Sequence, residues 1–154
     1  YKRNPYPHTF MWEDYPMDGQ RRQGFYNLRV LQRPKAADGL KDTSGEDRDY
    51  YEMDIQDNVI RLSVRKVTYQ TVERDPVYGI DLKFTKSYHP TSGGKWKIYL
   101  NDQLVDMNRP VTVFINDRKV FEGKIVPRME DMITSCMEYF DPCRVFPASV
   151  GVAL

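Results

Sequence analysis

The sequence predicts an all-β fold, a two-sheet antiparallel sandwich of the immunoglobulin or fibronectin kind, with about nine strands and one short helix before the last of them. Three observations lead there. Apolar and polar residues alternate with period two in short runs along most of the chain, as in half-buried strands. Gly, Pro, Asn and Asp punctuate those runs roughly every ten residues. A single segment near the end changes to a helical period.

"TFMWE" at 9–13 and "FYNLRVL" at 25–31 are the first strands, the second with Tyr26, Leu28 and Val30 on one face and a polar loop between the two. The stretch 36–49 is the most loop-like of the chain. "YYEMDI" then turns Tyr51, Met53 and Ile55 inward. In "NVIRLSVRKVTY" the alternation of Ile60, Leu62 and Val64 resumes out of phase at Val67 and Tyr69, which predicts a bulge or a strand that changes sheets. "GIDLKF" and "KWKIYL" repeat the pattern with Ile80, Leu82, Phe84 and with Trp96, Ile98, Leu100, around a polar loop, "TKSYHPTSGG".

"PVTVFINDRKVFEGKIV" predicts a hairpin. Val111, Val113 and Ile115 share one face, and Phe121 and Ile125 share one face of the return strand. Asn116 and Asp117 tolerate the left-handed backbone of a tight turn. In 128–140, Met129, Met132, Ile133, Cys136, Met137 and Phe140 form one helical stripe, with Pro127 at the start and Pro142 just beyond the end. The stripe is expected to seal the core, leaving Glu130, Asp131, Ser135 and Glu138 polar and outward. "FPASVGVAL" closes the chain as a last strand.

At 154 residues one domain is expected, over 8–154, with 1–7 as a proline-bearing linker or entry segment. Its 23 Lys and Arg against 22 Asp and Glu give no field that would draw nucleic acid or an anionic membrane. No run is long and apolar enough to insert into a bilayer. Because the first residue is Tyr1, the chain is expected to be a processed product or a piece of something longer. Cys136 and Cys143 lie close enough in sequence to close a small loop in an oxidising compartment, or stay as free thiols.

Catalytic patterns are missing. No serine sits in Gly-x-Ser-x-Gly, and His8 and His89 fall in segments expected to be exposed loops. Asp102 and Asp106 bracket Leu104 and Val105 and are read as turn-forming residues. Two Cys and two distant His do not make a zinc site, "DGLKDTSGED" lacks the calcium-loop pattern, and no glycine-rich nucleotide loop occurs. No cofactor, metal or catalytic residue is therefore expected. The aromatics offer a ligand platform instead, with Trp12, Tyr15, Trp96 and Tyr99 as candidates for stacking on sugar rings.

The run "KWKIYLNDQLVDMNRPVTVFINDRKVFEGKI" resembles the C-terminal β-sandwich domain that follows the catalytic domain of secreted bacterial α/β-hydrolases of the esterase and polyhydroxybutyrate-depolymerase-like kind. Leu100, Asp102, Leu104, Val105, Asp106, Pro110, Val111, Val113, Asn116, Lys119, Val120, Phe121 and Gly123 carry the likeness, joined by Asp141, Pro142, Phe146, Ala148 and Val150. Asp117 departs from it, where that pattern has Gly. The resemblance covers 95–154 and implies a noncatalytic accessory domain, secreted or periplasmic, whose serine-hydrolase partner lies N-terminal in the same polypeptide. A carbohydrate- or polymer-binding module, with polysaccharide or polyester as its partner, is the alternative.

Overall fold

The computed structural model describes residues 6–16, 22–37, 48–139 and 146–154. Their elements are β1 (Thr9–Asp14), β2 (Gly24–Phe25), β3 (Leu28–Gln32), β4 (Lys35–Ala36), β5 (Arg48–Gln56), β6 (Val59–Arg74), β7 (Asp81–His89), β8 (Thr91–Ser92), β9 (Lys95–Leu100), β10 (Val111–Ile115), β11 (Arg118–Gly123), α1 (Met129–Tyr139) and β12 (Ala148–Ala153). The all-β class is thus observed, with one helix among the described residues.

The largest sheet runs β1-β5-β6-β10-β11, and β7 pairs with the far half of the long β6. A four-stranded sheet runs β12-β9-β3-β2, and β4 pairs with β8. Pairings are antiparallel except β6 with β10, which run parallel from Thr112↔Val59 to Ile115↔Leu62. The expectation of purely antiparallel sheets is corrected here. β7, β8 and β9 lie between β6 and β10 in sequence, and this long excursion lets β10 return alongside β6 in the same direction.

Period-two alternation builds the core as expected. Tyr51, Met53 and Ile55 from β5, Ile60, Leu62 and Val64 from β6, and Val111, Val113 and Ile115 from β10 join one buried cluster with Leu28 from β3, Trp96, Ile98 and Leu100 from β9, and Val150 and Val152 from β12. Trp96 leaves no room for a side chain at Gly94, whose backbone is also left-handed. The tight turns at Asp57-Asn58 between β5 and β6, and at Asn116-Asp117 between β10 and β11, use the left-handed conformation at both central residues. Phe121 is half-buried against the cluster rather than sealed within it.

Several expectations are corrected. The run 25–31 is not one strand. Tyr26 takes a left-handed turn with Asn27, and the chain folds back as the β2–β3 hairpin. The stretch "TKSYH" is not a loop but the end of β7, with Val67↔Tyr88 and Tyr69↔Lys86 in register.

The largest correction concerns α1. Its apolar stripe faces outward, with Met129 75%, Met132 43%, Ile133 55% and Met137 66% exposed, while Asp131 and Ser135 are buried. The reason lies in β12, which turns Ala148, Val150 and Val152 to the core and leaves Ser149 on the outer side. Against that polar surface the helix lays its polar face. Ser149 Oγ donates to Asp131 Oδ1 at 2.9 Å, and Lys97 Nζ stands 3.6 Å from the same oxygen. The Phe146 amide donates to Ser135 Oγ at 3.0 Å, and the Arg128 amide donates to the Pro147 carbonyl at 2.7 Å. Phe140, Pro142 and Cys143 lie outside the described residues; Cys136 is exposed and unbonded.

Candidate functional site

The pairing of β5 with β6 is unbroken from Gln56↔Val59 to Arg48↔Val67, so no bulge causes the phase change after Val64. Inward alternation simply continues onto a charged residue. Lys66 is buried, and its Nζ lies 2.5 Å from Asp49 Oδ1; Arg33 Nε donates to Asp49 Oδ2 at 2.7 Å. A buried ion pair thus occupies two positions that a hydrophobic pattern would fill. Val67 is buried too, but it lies outside the core cluster, on the opposite face of the sheet.

That opposite face carries aromatic rings. Register places Glu13 beside Tyr50, Val67 between Arg48 and Tyr88, and Tyr69 beside Lys86. Tyr15 follows directly after β1. Tyr15 (41%), Tyr69 (37%) and Tyr88 (50%) are exposed, and Tyr50 is half-buried. The Tyr50 and Tyr88 rings lie 5.0 Å apart. The Arg48 guanidinium lies over Tyr15 at 4.8 Å and over Tyr69 at 4.7 Å. Lys86 Nζ lies 5.4 Å from the Tyr50 ring, 5.7 Å from Tyr69 and 5.3 Å from Tyr88.

Glu13 ties the set together. The Tyr69 hydroxyl donates to Glu13 Oε1 at 2.8 Å, Lys86 stands 3.2 Å from that oxygen, and Arg48 stands 3.4 Å from Oε2. Partial burial pushes the Glu13 carboxyl up, but the Tyr69 hydroxyl, Lys86 and Arg48 outweigh it and hold the group below its ordinary range. Burial opposes the charge on Lys86, yet its bonds to Tyr88 and Glu13 hold the ammonium above the usual lysine range. Burial and the Glu52 carboxylate, which accepts from the Tyr50 hydroxyl at 2.7 Å, raise the Tyr50 phenol and keep it neutral. Arg48 and Lys86 thus lie over the rings of this face, and Glu13 pairs with both cations.

Of the rings that the sequence singles out, only Tyr15 belongs to this face. Trp12, Trp96 and Tyr99 are buried. Trp12 stacks on Tyr51 at 5.1 Å, Trp96 Nε1 donates to the Tyr51 hydroxyl at 3.2 Å, and Tyr99 stacks on Phe146 at 5.5 Å. Core packing removes all three from the expected platform. Tyr50, Tyr69 and Tyr88 take their place, and the out-of-phase Val67 and Tyr69 are the trace that this face leaves in the sequence.

No convergent catalytic set appears among the described residues. His8 Nε2 lies 2.7 Å from the Gln103 carbonyl, and His89, in β7 and not a loop, bonds Thr68 Oγ1 at 2.8 Å. The loop 101–110 borders an open depression of about 480 Å³ beside His8 and Asp57. Its residues are bound to each other: Asn58 Nδ2 donates to the Asp106 carbonyl at 2.8 Å, and Asn58 Oδ1 accepts from the Asp106 amide at 2.8 Å. The Asp106 carboxylate, which accepts from the Asn108 amide at 3.0 Å, sits below its ordinary range because of that bond and Arg109. Among the described residues no three His, Cys, Asp or Glu side chains group as metal ligands, and "DGLKDTSGED" lies outside them. No protein family, curated protein or solved structure matches the chain.

Proposed function

We propose that this chain is a noncatalytic accessory domain that holds polysaccharide through its tyrosine face, in service of a hydrolase domain carried N-terminal to it in a secreted or periplasmic protein. In this reading the two main sheets form a sandwich of the immunoglobulin kind, with one outer face free for ligand. The observation that carries the ligand reading is the set Tyr15, Tyr69 and Tyr88, exposed on one face around the half-buried Tyr50. Sugar rings present C–H faces to such phenols, and Glu13, Arg48, Lys86 and Glu52 border them with donors and acceptors for hydroxyl groups. The hydrolase partnership is supported by the likeness of 95–154 to appendages of such enzymes. One residue of that likeness, Asp106, suits a scaffold, since Asn58 holds its backbone and so stitches the loop 101–110 to the β5–β6 turn.

Native affinity electrophoresis through gels containing barley β-glucan, xyloglucan, arabinoxylan or soluble starch tests the proposal. At least one polymer retards the wild-type chain, and Tyr88→Ala reduces the retardation. Migration unaffected by every polymer, with binding instead to a polyhydroxybutyrate film, would replace polysaccharide with polyester. As a noncatalytic domain, the chain releases no p-nitrophenol from p-nitrophenyl acetate; steady turnover abolished by His8→Ala or His89→Ala would contradict that.

A further inference from the structure

We propose that the polysaccharide held by the tyrosine face is acidic, and that Arg48 takes the carboxylate of a uronic acid unit seated beside Tyr15 and Tyr69. This rests on the polysaccharide reading and adds to it the chemical class of the ligand. The two cations that lie over the rings are unevenly engaged. Lys86 is held on three sides, by Glu13 Oε1 at 3.2 Å and by the Tyr69 and Tyr88 side chains. Arg48 carries a guanidinium with donors on Nε, Nη1 and Nη2. Only Nη1 finds an acceptor among the described residues, Glu13 Oε2 at the long distance of 3.4 Å, and that oxygen also receives the Tyr69 hydroxyl at 2.9 Å.

The open donors are within reach of a ligand. The guanidinium lies 4.8 Å from the Tyr15 ring and 4.7 Å from the Tyr69 ring, on a side chain 37% exposed. A guanidinium is a planar fork that fits a carboxylate through two parallel N–H bonds, a geometry that an ammonium cannot offer. Flanked by two phenols, this fork suits a sugar that carries a carboxylate, with its ring against a phenol and its charge on Arg48. Charge on the face agrees. Arg48, Lys86 and Arg65, which stands beside Tyr50 and donates to Asn116 Oδ1, outnumber the carboxylates of Glu13 and Glu52. A neutral polymer meets the same rings without the ion pair, so it binds more weakly.

Calorimetric titration with glucuronoxylan, polygalacturonate and alginate, each beside the same polymer with its carboxylates reduced to alcohols, tests the inference. The two members of a pair differ only in the group assigned to Arg48. For at least one pair the wild-type chain should bind the acidic form roughly three- to fivefold more tightly, as suits one partly exposed ion pair. Arg48→Gln should bring that ratio close to one, and Arg48→Lys, which keeps the charge and loses the fork, should lower it. Arg118→Gln, at the exposed β10–β11 turn, removes the same charge and should leave the ratio as it is. A ratio that falls as far in Arg118→Gln as in Arg48→Gln would overturn the assignment, because overall charge would then account for the preference. Equal affinity for both members of every pair that binds would overturn the acidic ligand and leave the polysaccharide reading standing. A chain that binds none of these polymers and no neutral one would overturn that reading itself.

Discussion

Two carboxylates, Asp49 and Glu13, organise opposite faces of the same sheet. Asp49 is buried and shared by Lys66 and Arg33. Asp49→Asn neutralises the charge on which both cations rest, and should cost about 3–5 kcal/mol, the range for breaking a buried pair. Lys66→Met, which removes a buried charge and leaves Asp49 its Arg33 partner, should cost clearly less; urea unfolding of the two variants makes the comparison, and equal losses would contradict this account. Glu13 acts at the surface. Its carboxyl is depressed in the folded chain from its ordinary 4.5, so its stabilising contribution is complete above that value and lost as pH falls through the folded value. Glu13→Gln should therefore flatten the acid limb of stability against pH below about 4.5 while lowering stability slightly at neutral pH. Thermal melts across pH 3–7 would show the two curves converging at the acid end; parallel curves would mean that Glu13 does not hold the face.

At the scale of elements, α1 separates what a pattern can say from what it cannot. Its existence and its stripe are legible because helical period is local. Its orientation is not, because it depends on what β12 offers, and β12 turns only Ser149 and small residues outward. The same holds for the sheets. Trp96-Ile98-Leu100 and Val111-Val113-Ile115 are legible as core because each face is written in one strand. The tyrosine face is assembled from β5, β6, β7 and the end of β1, and its β7 members sit in a stretch too polar to read as a strand. The break of phase at Lys66 and Val67 was visible, but an inward lysine beside a buried aspartate and a slipped backbone leave the same trace in a sequence. Ile133→Asp tests the orientation of the helix: with Ile133 in solvent, the monomer should keep its stability to within about 0.5 kcal/mol, as surface substitutions do. Ile98→Asp, in the core, should prevent folding. Unfolding of the Ile133→Asp chain in dilute solution would place the stripe inside.

For the whole molecule, one buried cluster draws side chains from both the large sheet and the four-stranded sheet, and the face that the large sheet turns away from it is where function is proposed. The large sheet presents phenols and charges, while the small one carries a helix with its apolar side out. The central claim is that the tyrosine face binds polysaccharide, and calorimetric titration with the polymer that retards the chain most tests it directly. Tyr78 supplies the control, because it is 77% exposed at the tip of the β6–β7 hairpin, away from the cation-bound rings. Tyr69→Ala and Tyr88→Ala should each weaken binding roughly three- to tenfold, in line with ~0.5–1.5 kcal/mol per stacked ring, and their combination should weaken it further, while Tyr78→Ala binds as the wild type does. Equal losses for all three tyrosines, or wild-type affinity in the Tyr69→Ala, Tyr88→Ala double variant, would contradict the claim.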